Sequence, residues 1–514
     1  MPRVTGLSSS PVAEPKPREN GLGSRAAVVL VFSSSAAVLV VEIVALRLLA
    51  PYLGLTLETS TMVIGVALTA IAAGSWIGGR LADQVSPRRL IGPALGLSGV
   101  VVALTPLVLR TTAEWAPALL FFIASLTILV PGALLAAVTP IVTKLRLTTL
   151  AETGTVVGRL SGVGTAGAIV GTVLTGFVLV SRFPVSGILI GLGILLVAGS
   201  ALIEWRTRGW TGVPALTLVI VAGGLATTVA PGGCDTETRY HCATVVADPD
   251  RDTGRTLVLD GLRHSYVDID DPTFLKFTYV RAIASVVDTA FPDDEPLSAY
   301  HLGGGGLTFP RYLAATRPGT RSLVSEIDSG VVRINREHLG LRSQGGIDVR
   351  AEDGRLGLRR LDAGSRDLVV GDAFGGVSVP WHLTTVEAMT DVRRALDEDG
   401  LYVANLIDHG AMDFARAEAA TLSETFEHVA LVGVPADIGL DPSATPEGGN
   451  LVLLASDRPV DVPATQEALD ARKTGWKIAT GDDVTSWIGD APLLTDDYAP
   501  VDQLLQPSST QTGR

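Results

Sequence analysis

Seven stretches of about 20 apolar residues fill the chain between residues 26 and 229, more than the core of a water-soluble domain can take in. In lipid, every backbone N–H and C=O of such a stretch needs a partner within the protein, so the stretches must be helices. The spans are 26–49, 62–81, 90–109, 116–137, 156–180, 185–203 and 213–229. A Ser- and Pro-rich charged tail, 1–25, precedes them and reads as disordered. The first span is too long and too poorly flanked for a cleaved signal peptide. The expected organisation is a tail (1–25), a bundle of about seven membrane helices (26–230), a small β-hairpin domain (231–272) and an α/β domain (273–514).

Charge divides at the same place as hydropathy. Residues up to Pro231 carry a balance of +7 and the remainder −20, together the −13 of the chain. An acidic half of that size excludes nucleic acid as a partner, because phosphates need basic patches. It suits cationic small ligands. The bases of the first half gather in the tail and in alternate loops: Arg80, Arg88 and Arg89, then Lys144 and Arg146, then Arg206 and Arg208. The positive-inside rule puts the amino terminus in the cytoplasm. An odd number of spans then puts the acidic half outside, in a multi-pass protein of the cell membrane whose partner is the lipid bilayer.

Several features of the bundle have two readings. Gly158/Gly162 and Gly167/Gly171 are Gly-x-x-x-Gly pairs, which read first as helix packing. Glu42 and Arg47 near the end of the first span are either site or scaffold. The only two cysteines, Cys234 and Cys242, lie close together just past the last span. In an oxidising compartment they make a candidate disulfide, in agreement with the arginine-derived orientation. No Cys/His spacing suggests a metal.

The acidic half begins with short strands and a Gly261 turn, ending in Asp268, Asp270 and Asp271. A helix is expected from Pro272 to about Ala290. Strands then alternate with helices: 299–302, 322–327, 347–350, 367–370, 401–406, 429–434 and 450–455. That alternation predicts a doubly wound, Rossmann-like sheet of the methyltransferase-like kind. Its first turn is Gly303-Gly304-Gly305-Gly306, and Glu326 lies about 20 residues on, at the end of the next strand. Glycines admit sharp turns and close ligand approach, and such an acid can bond a ribose hydroxyl pair. Asp353 and Asp372 end two further strands. These strand tips should share one rim, where open α/β sheets bind ligands. A helix cap or a turn residue is the competing reading of Asp372.

On these residues the chain resembles the polyamine aminopropyltransferases, the spermidine/spermine synthase family. The matching pieces are Leu-Asp-Gly-Leu at 259–262, the glycine loop, Ser-Glu-Ile-Asp at 325–328, Glu-Asp-Gly at 352–354 and Asp-Ala-Phe at 372–374. The whole chain is similar to a branch in which transporter-like spans precede the synthase-like domain, with 42–47 and 494–501 as its signatures. The resemblance implies that Glu326 binds the ribose of a decarboxylated S-adenosylmethionine co-substrate and that Asp353 contacts its adenine. It implies that Asp372 takes the proton of the attacking amine, with no metal and no permanently bound cofactor. The acceptor would be a polyamine of the putrescine or spermidine class. A homodimer is a further expectation.

Such chemistry asks for carboxylates. A primary amine with a pKa near about 10 is protonated at neutral pH and so is not a nucleophile. A positioned carboxylate can bind the cation and then take its proton. The sequence departs from the family mainly on the amine side. Gly306 stands where the family has an aspartate, Gly375 where it has a second acid and His264 where it has a glutamine, and the stretch around Phe277–Tyr279 matches poorly. His264, Asp268, Asp497 and Tyr498 are the candidates for amine contacts. The stretch 380–385 is either a lid or a capped helix start, and His409 and His428 receive no role. The rival readings are another S-adenosyl-dependent transferase, such as a methyltransferase, and a polyamine transporter or sensor with a non-catalytic domain.

Overall fold

The computed structural model describes residues 22–53, 57–147, 149, 152–208, 234–291, 295–341, 345–376 and 378–506. The expected seventh span, 213–229, and most of the expected tail lie outside the described residues. The chain divides into two compact units. One consists of Met1–Val44, Val63–Leu179 and Ser186–Ala230, and the other of Ala45–Met62, Val180–Val185 and Pro231–Arg514.

In the first unit the apolar stretches form helices long and apolar enough to cross a membrane. Six such spans are found among the described residues: Ser24–Leu49, Thr59–Gln84, Arg88–Trp115, Pro117–Arg146, Thr153–Leu179 and Val185–Arg206. Small residues set how closely these helices approach. Gly167 and Gly171 are buried against the first helix, where an added Cβ would run into the backbone at Phe32 and Ala36. Gly74 lies in the same way against Ala133, and Gly99 against Gly193. Gly158 and Gly162 face open space. One Gly-x-x-x-Gly pair is therefore a packing seam within the unit and the other is not.

The second unit opens with a four-stranded antiparallel sheet, β1 (Thr236–Glu237), β2 (Cys242–Asp248), β3 (Arg251–Leu259) and β4 (Leu262–Asp268), in sequential order. Cys234 and Cys242 are disulfide-bonded, with their Cα atoms 5.4 Å apart. The expected helix from Pro272 begins at Thr278 instead. The segment before it is held as turns, partly by Asp271, whose carboxylate accepts from the Thr273 amide and hydroxyl.

An eight-stranded sheet follows: β5 (Ser298–Leu302), β6 (Arg321–Glu326), β7 (Ile347–Ala351), β8 (Arg366–Gly371), β9 (Leu396–Asp408), β10 (His428–Gly433), β11 (Gly449–Ser456) and β12 (Lys477–Thr480). Its order is β12-β10-β11-β9-β8-β5-β6-β7. The strands β5 to β9 pair in parallel, and β10, β11 and β12 add antiparallel pairs. The sheet is thus mixed at one end, and β12 was not expected. Because β6 and β8 lie on opposite sides of β5, the chain reverses direction across the sheet there. A crevice must open at the carboxyl ends of β5 and β8. Helices cover both faces, Thr278–Ala290 with Val462–Ala471 on one and Val386–Ala395 with Asp413–Thr425 on the other, over separate apolar cores.

The glycine seam yields a stability prediction. Gly167→Leu or Gly171→Leu should destabilise the detergent-solubilised protein by about 1–3 kcal/mol, read as a fall of several degrees in melting temperature. Gly158→Leu should leave it within about a degree, and an equal fall there would contradict the seam.

Candidate active site

The rim at the ends of β5, β6 and β8 is shaped by backbone first. The turn after β5 is pinned by its neighbours: the Gly303 amide donates to the Ser325 carbonyl at 3.0 Å, and the Asp372 amide donates to the Leu302 carbonyl at 2.9 Å. Gly303 has φ 92°, and a Cβ there would strike the Asp372 carbonyl and Ala373. Gly305, with φ 47°, approaches the Ser265 hydroxyl of β4. Only glycine accommodates both demands. Gly306 donates its amide to Ser265 Oγ at 2.8 Å, and a Cβ on it would meet Ser265 and Val267 at 2.8 and 3.0 Å. The hairpin sheet therefore packs where an acidic side chain at 306 would have to sit.

This rim encloses a cavity of about 850 Å³. Gly303, Gly304, Gly305, Glu326, Asp353, Asp372 and His264 all line it. Glu326, at the end of β6, accepts from the Gly304 and Gly305 amides on Oε2 (2.9 and 3.2 Å) and from the Asp328 amide on Oε1 (2.9 Å). Burial nonetheless pushes its pKa above the usual carboxylate value. Two oxygens with about four acceptor positions hold three backbone donors, which leaves capacity for a ligand hydroxyl. Asp353 caps the short helix after β7 by accepting from the Leu356 amide, and its Oδ2 lies 3.0 Å from His382 Nε2.

Asp372 is not a cap. Its Oδ1 accepts from Asn405 Nδ2 at 2.9 Å and its Oδ2 from the Tyr279 hydroxyl at 3.2 Å. Asn405 in turn accepts from Asn450 Nδ2 at 2.9 Å. Burial raises the Asp372 pKa to about 6, and the two hydrogen bonds only partly oppose it. The result is a carboxyl group with a pKa of about 6, held by donors from two different elements, β9 and the helix Thr278–Ala290. A group with this pKa can give up or take a proton near physiological pH.

His264 and His301 line the same cavity as neutral groups. Burial lowers His264 to about 4, with the nearby His241 as a second cause. Burial alone lowers His301 to about 3, and its Nε2 lies 3.2 Å from Ser322 Oγ. No group of three or more His, Cys, Asp or Glu able to hold a metal ion occurs among the described residues.

Four candidate residues are not brought to the cavity: Gly306, which packs against the hairpin at Ser265, and Asp268, Asp497 and Tyr498. Asp268, the last residue of β4, is buried and binds Arg251, the Thr253 hydroxyl and the Asp270 and Asp271 amides. It organises the turn after β4. Asp497 and Tyr498 belong to a tight turn closed by the Thr495–Tyr498 backbone pair, and Tyr498 is 62% exposed. Their neighbour Asp496 makes a two-pronged ion pair with Arg355 at 2.6 and 2.8 Å and accepts from the Thr385 hydroxyl. Thr385 itself caps the helix Val386–Ala395. The capped-start reading of 380–385 therefore holds, although His382 from the same stretch also lines the cavity.

Sequence reasoning missed Tyr279, Asn405 and Asn450. Asn405 had a visible signal, an amide in the middle of an otherwise apolar buried strand, which demands a partner. Tyr279 had none.

The chain has relatives of known name. It is 28% identical over 141 residues to the polyamine aminopropyltransferase of Chromobacterium violaceum, covering 27% of this chain and 53% of that protein. It is 29% identical over 169 residues to polyamine aminopropyltransferase 1 of Aquifex aeolicus, covering 32% and 56%. The chain thus spans about half the length of the curated relatives it matches. Among solved structures, a probable spermidine synthase from Corynebacterium glutamicum aligns with 54% of this chain and 100% of its own, at 28% identity and a TM-score of 0.48. No family model matches the chain.

The buried carboxylate has a stability signature. A pKa raised from 3.8 to about 6 costs the folded state stability above about pH 6, and the cost disappears as pH falls through the unfolded value. Asp372→Asn should therefore stabilise the protein at pH 7.5 by on the order of 1–2 kcal/mol. The gain should shrink to nothing near pH 4. A pH-independent change in melting temperature would contradict this account of the carboxyl.

Proposed function

We propose that the chain is a polyamine aminopropyltransferase, like the curated relatives to which it is 28–29% identical, and that its cavity transfers an aminopropyl group from decarboxylated S-adenosylmethionine to a polyamine. The observation that carries the reading is Asp372, a buried carboxylate with a pKa of about 6 beside the glycine loop and Glu326. In this reading the turn Gly303–Gly305 and Glu326 hold the nucleoside, with a ribose hydroxyl on the remaining acceptor position of Glu326. Asp353 and His382 border the adenine end. Asp372 meets the amine, and His264 borders it from the hairpin side. Among the described residues, six helices long and apolar enough to cross a membrane precede this domain in the chain, and in this reading the enzyme acts at a bilayer.

The amine arrives as an ammonium and pairs with the Asp372 carboxylate. Its proton passes to that carboxylate, and the freed nitrogen lone pair attacks the propyl carbon bound to sulfur. The C–N bond forms as the C–S bond breaks. The C–S electron pair goes to the sulfonium, leaving neutral methylthioadenosine. A neutral thioether leaves without an acid, so the protein supplies alignment and the proton acceptor. Asn405 and Tyr279 fix the carboxylate, because a donor on each oxygen leaves little rotational freedom.

The test is methylthioadenosine release from the purified full-length protein with this donor and putrescine or spermidine. Asp372→Asn should lower kcat by about 10²–10⁴ while a donor analogue still binds within a few-fold. For the unsubstituted protein, kcat/KM should fall about tenfold per pH unit below about pH 6, because the carboxylate must be ionised to accept the proton. Turnover of intact S-adenosylmethionine in place of the decarboxylated donor would move the assignment to a methyltransferase.

A further inference from the structure

The cavity runs well past Asp372, along the rim formed by β9, β11 and β10. Asn405, Asn450 and Asp437 line that arm, and Trp476 closes its side. Asp437 follows β10 in the turn Val434–Asp437 and is only 4% exposed. Its Oδ1 accepts from the Glu447 and Gly448 amides at 3.0 and 3.2 Å. Among the described residues nothing donates to its Oδ2. The carboxylate is thus anchored by one oxygen, with the other left for whatever fills the cavity.

The other carboxylates lining the cavity have work already. Glu326 braces the glycine loop, Asp353 caps a helix and faces His382, and Asp372 is the proton acceptor. A second buried ammonium needs a carboxylate of its own, since an unpaired buried charge is strongly disfavoured. Asp437 is the group in position to provide it.

Sheet topology sets the distance between the two acids. Asp372 follows β8 level with Asn405 of β9, and Asp437 holds the Gly448 amide just before the start of β11, two strands across and three to four residues farther along. At about 4.8 Å per strand and about 3.3 Å per residue, the span is roughly 14 Å or more. A charge-assisted hydrogen bond of about 2.8 Å at each end leaves roughly 8 Å between the two nitrogens. With bonds of about 1.5 Å at tetrahedral angles, the five bonds of a four-carbon diamine reach only ~6 Å, whereas seven bonds reach nearly 9 Å.

Resting on the aminopropyl-transfer reading, we propose that Asp437 binds a second ammonium of the acceptor, seven or more bonds from the reacting nitrogen. The acceptor class is then long diamines and triamines, with spermidine fitting and putrescine too short. Asp437 sets acceptor length and takes no part in the bond exchange.

The experiment measures amine binding and turnover separately on the full-length protein in detergent. Calorimetry with methylthioadenosine present uses 1,4-diaminobutane, 1,6-diaminohexane, 1,8-diaminooctane, spermidine and octylamine. The eight-carbon diamine and spermidine should bind at least tenfold more tightly than the four-carbon diamine. In Asp437→Asn the affinity ratio of 1,8-diaminooctane to octylamine should fall at least tenfold. Equal or tighter binding of the four-carbon diamine, or an unchanged ratio in Asp437→Asn, overturns the proposal. Methylthioadenosine release with the same amines tests transfer itself. Binding that depends on length and on Asp437, without release from any amine, supports the role of Asp437 and overturns the transfer reading instead.

Discussion

Everything at the candidate site depends on how closely the backbone after β5 can approach the end of β8. Gly303 sits against the Asp372 carbonyl with no room for a side chain, and the Leu302 carbonyl takes the Asp372 amide. That contact holds two strand tips together at the place where the sheet's connections change direction. It sets the floor of the cavity and fixes the backbone from which the Asp372 side chain leaves. With a Cβ at 303 the two tips would separate, and the glycine amides would lose their register with Glu326.

The polar interior of the cavity follows from that placement. A carboxylate taken out of water tends to protonate, and Asp372 has moved partway in that direction. Asn405 and Tyr279 stop the drift near neutrality by donating to both oxygens. Asn450 supports Asn405 from the neighbouring strand. The chain of donors therefore crosses β11, β9 and β8 and reaches the helix over the sheet. Substitution of a supporting amide acts on the carboxyl from two strands away.

The hairpin sheet contributes differently. Ser265 of β4 receives the Gly306 amide, and Val267 packs beside it. Position 306 is thereby filled by the hairpin, and an acidic side chain there would have no space. The disulfide Cys234–Cys242 and the Cys242 amide, which donates to Asp260, tie the start of the same hairpin.

The apolar stretches, the alternation of strands with helices and the glycine–acid spacing were readable from residue order because each depends on local periodicity or on backbone demands that few residues meet. Bilayer-length runs leave the chain no choice but helices, and a four-glycine turn between a strand and a helix has few uses. The placement of Glu326, Asp353 and Asp372 on one rim followed from the same reasoning. Tertiary structure alone decided which acids are available. Asp268 and Asp353 look alike in sequence, yet one is consumed beneath a turn while the other lines the cavity. Tyr279, Asn405 and Asp437 acquire meaning only from sheet order and helix packing, which bring Tyr279 and Asn405, 93 and 33 positions from Asp372, to one carboxylate. Periodicity reports the face on which a residue lies, but its partner across the sheet is set by how strands are ordered, and that order is a property of the folded chain.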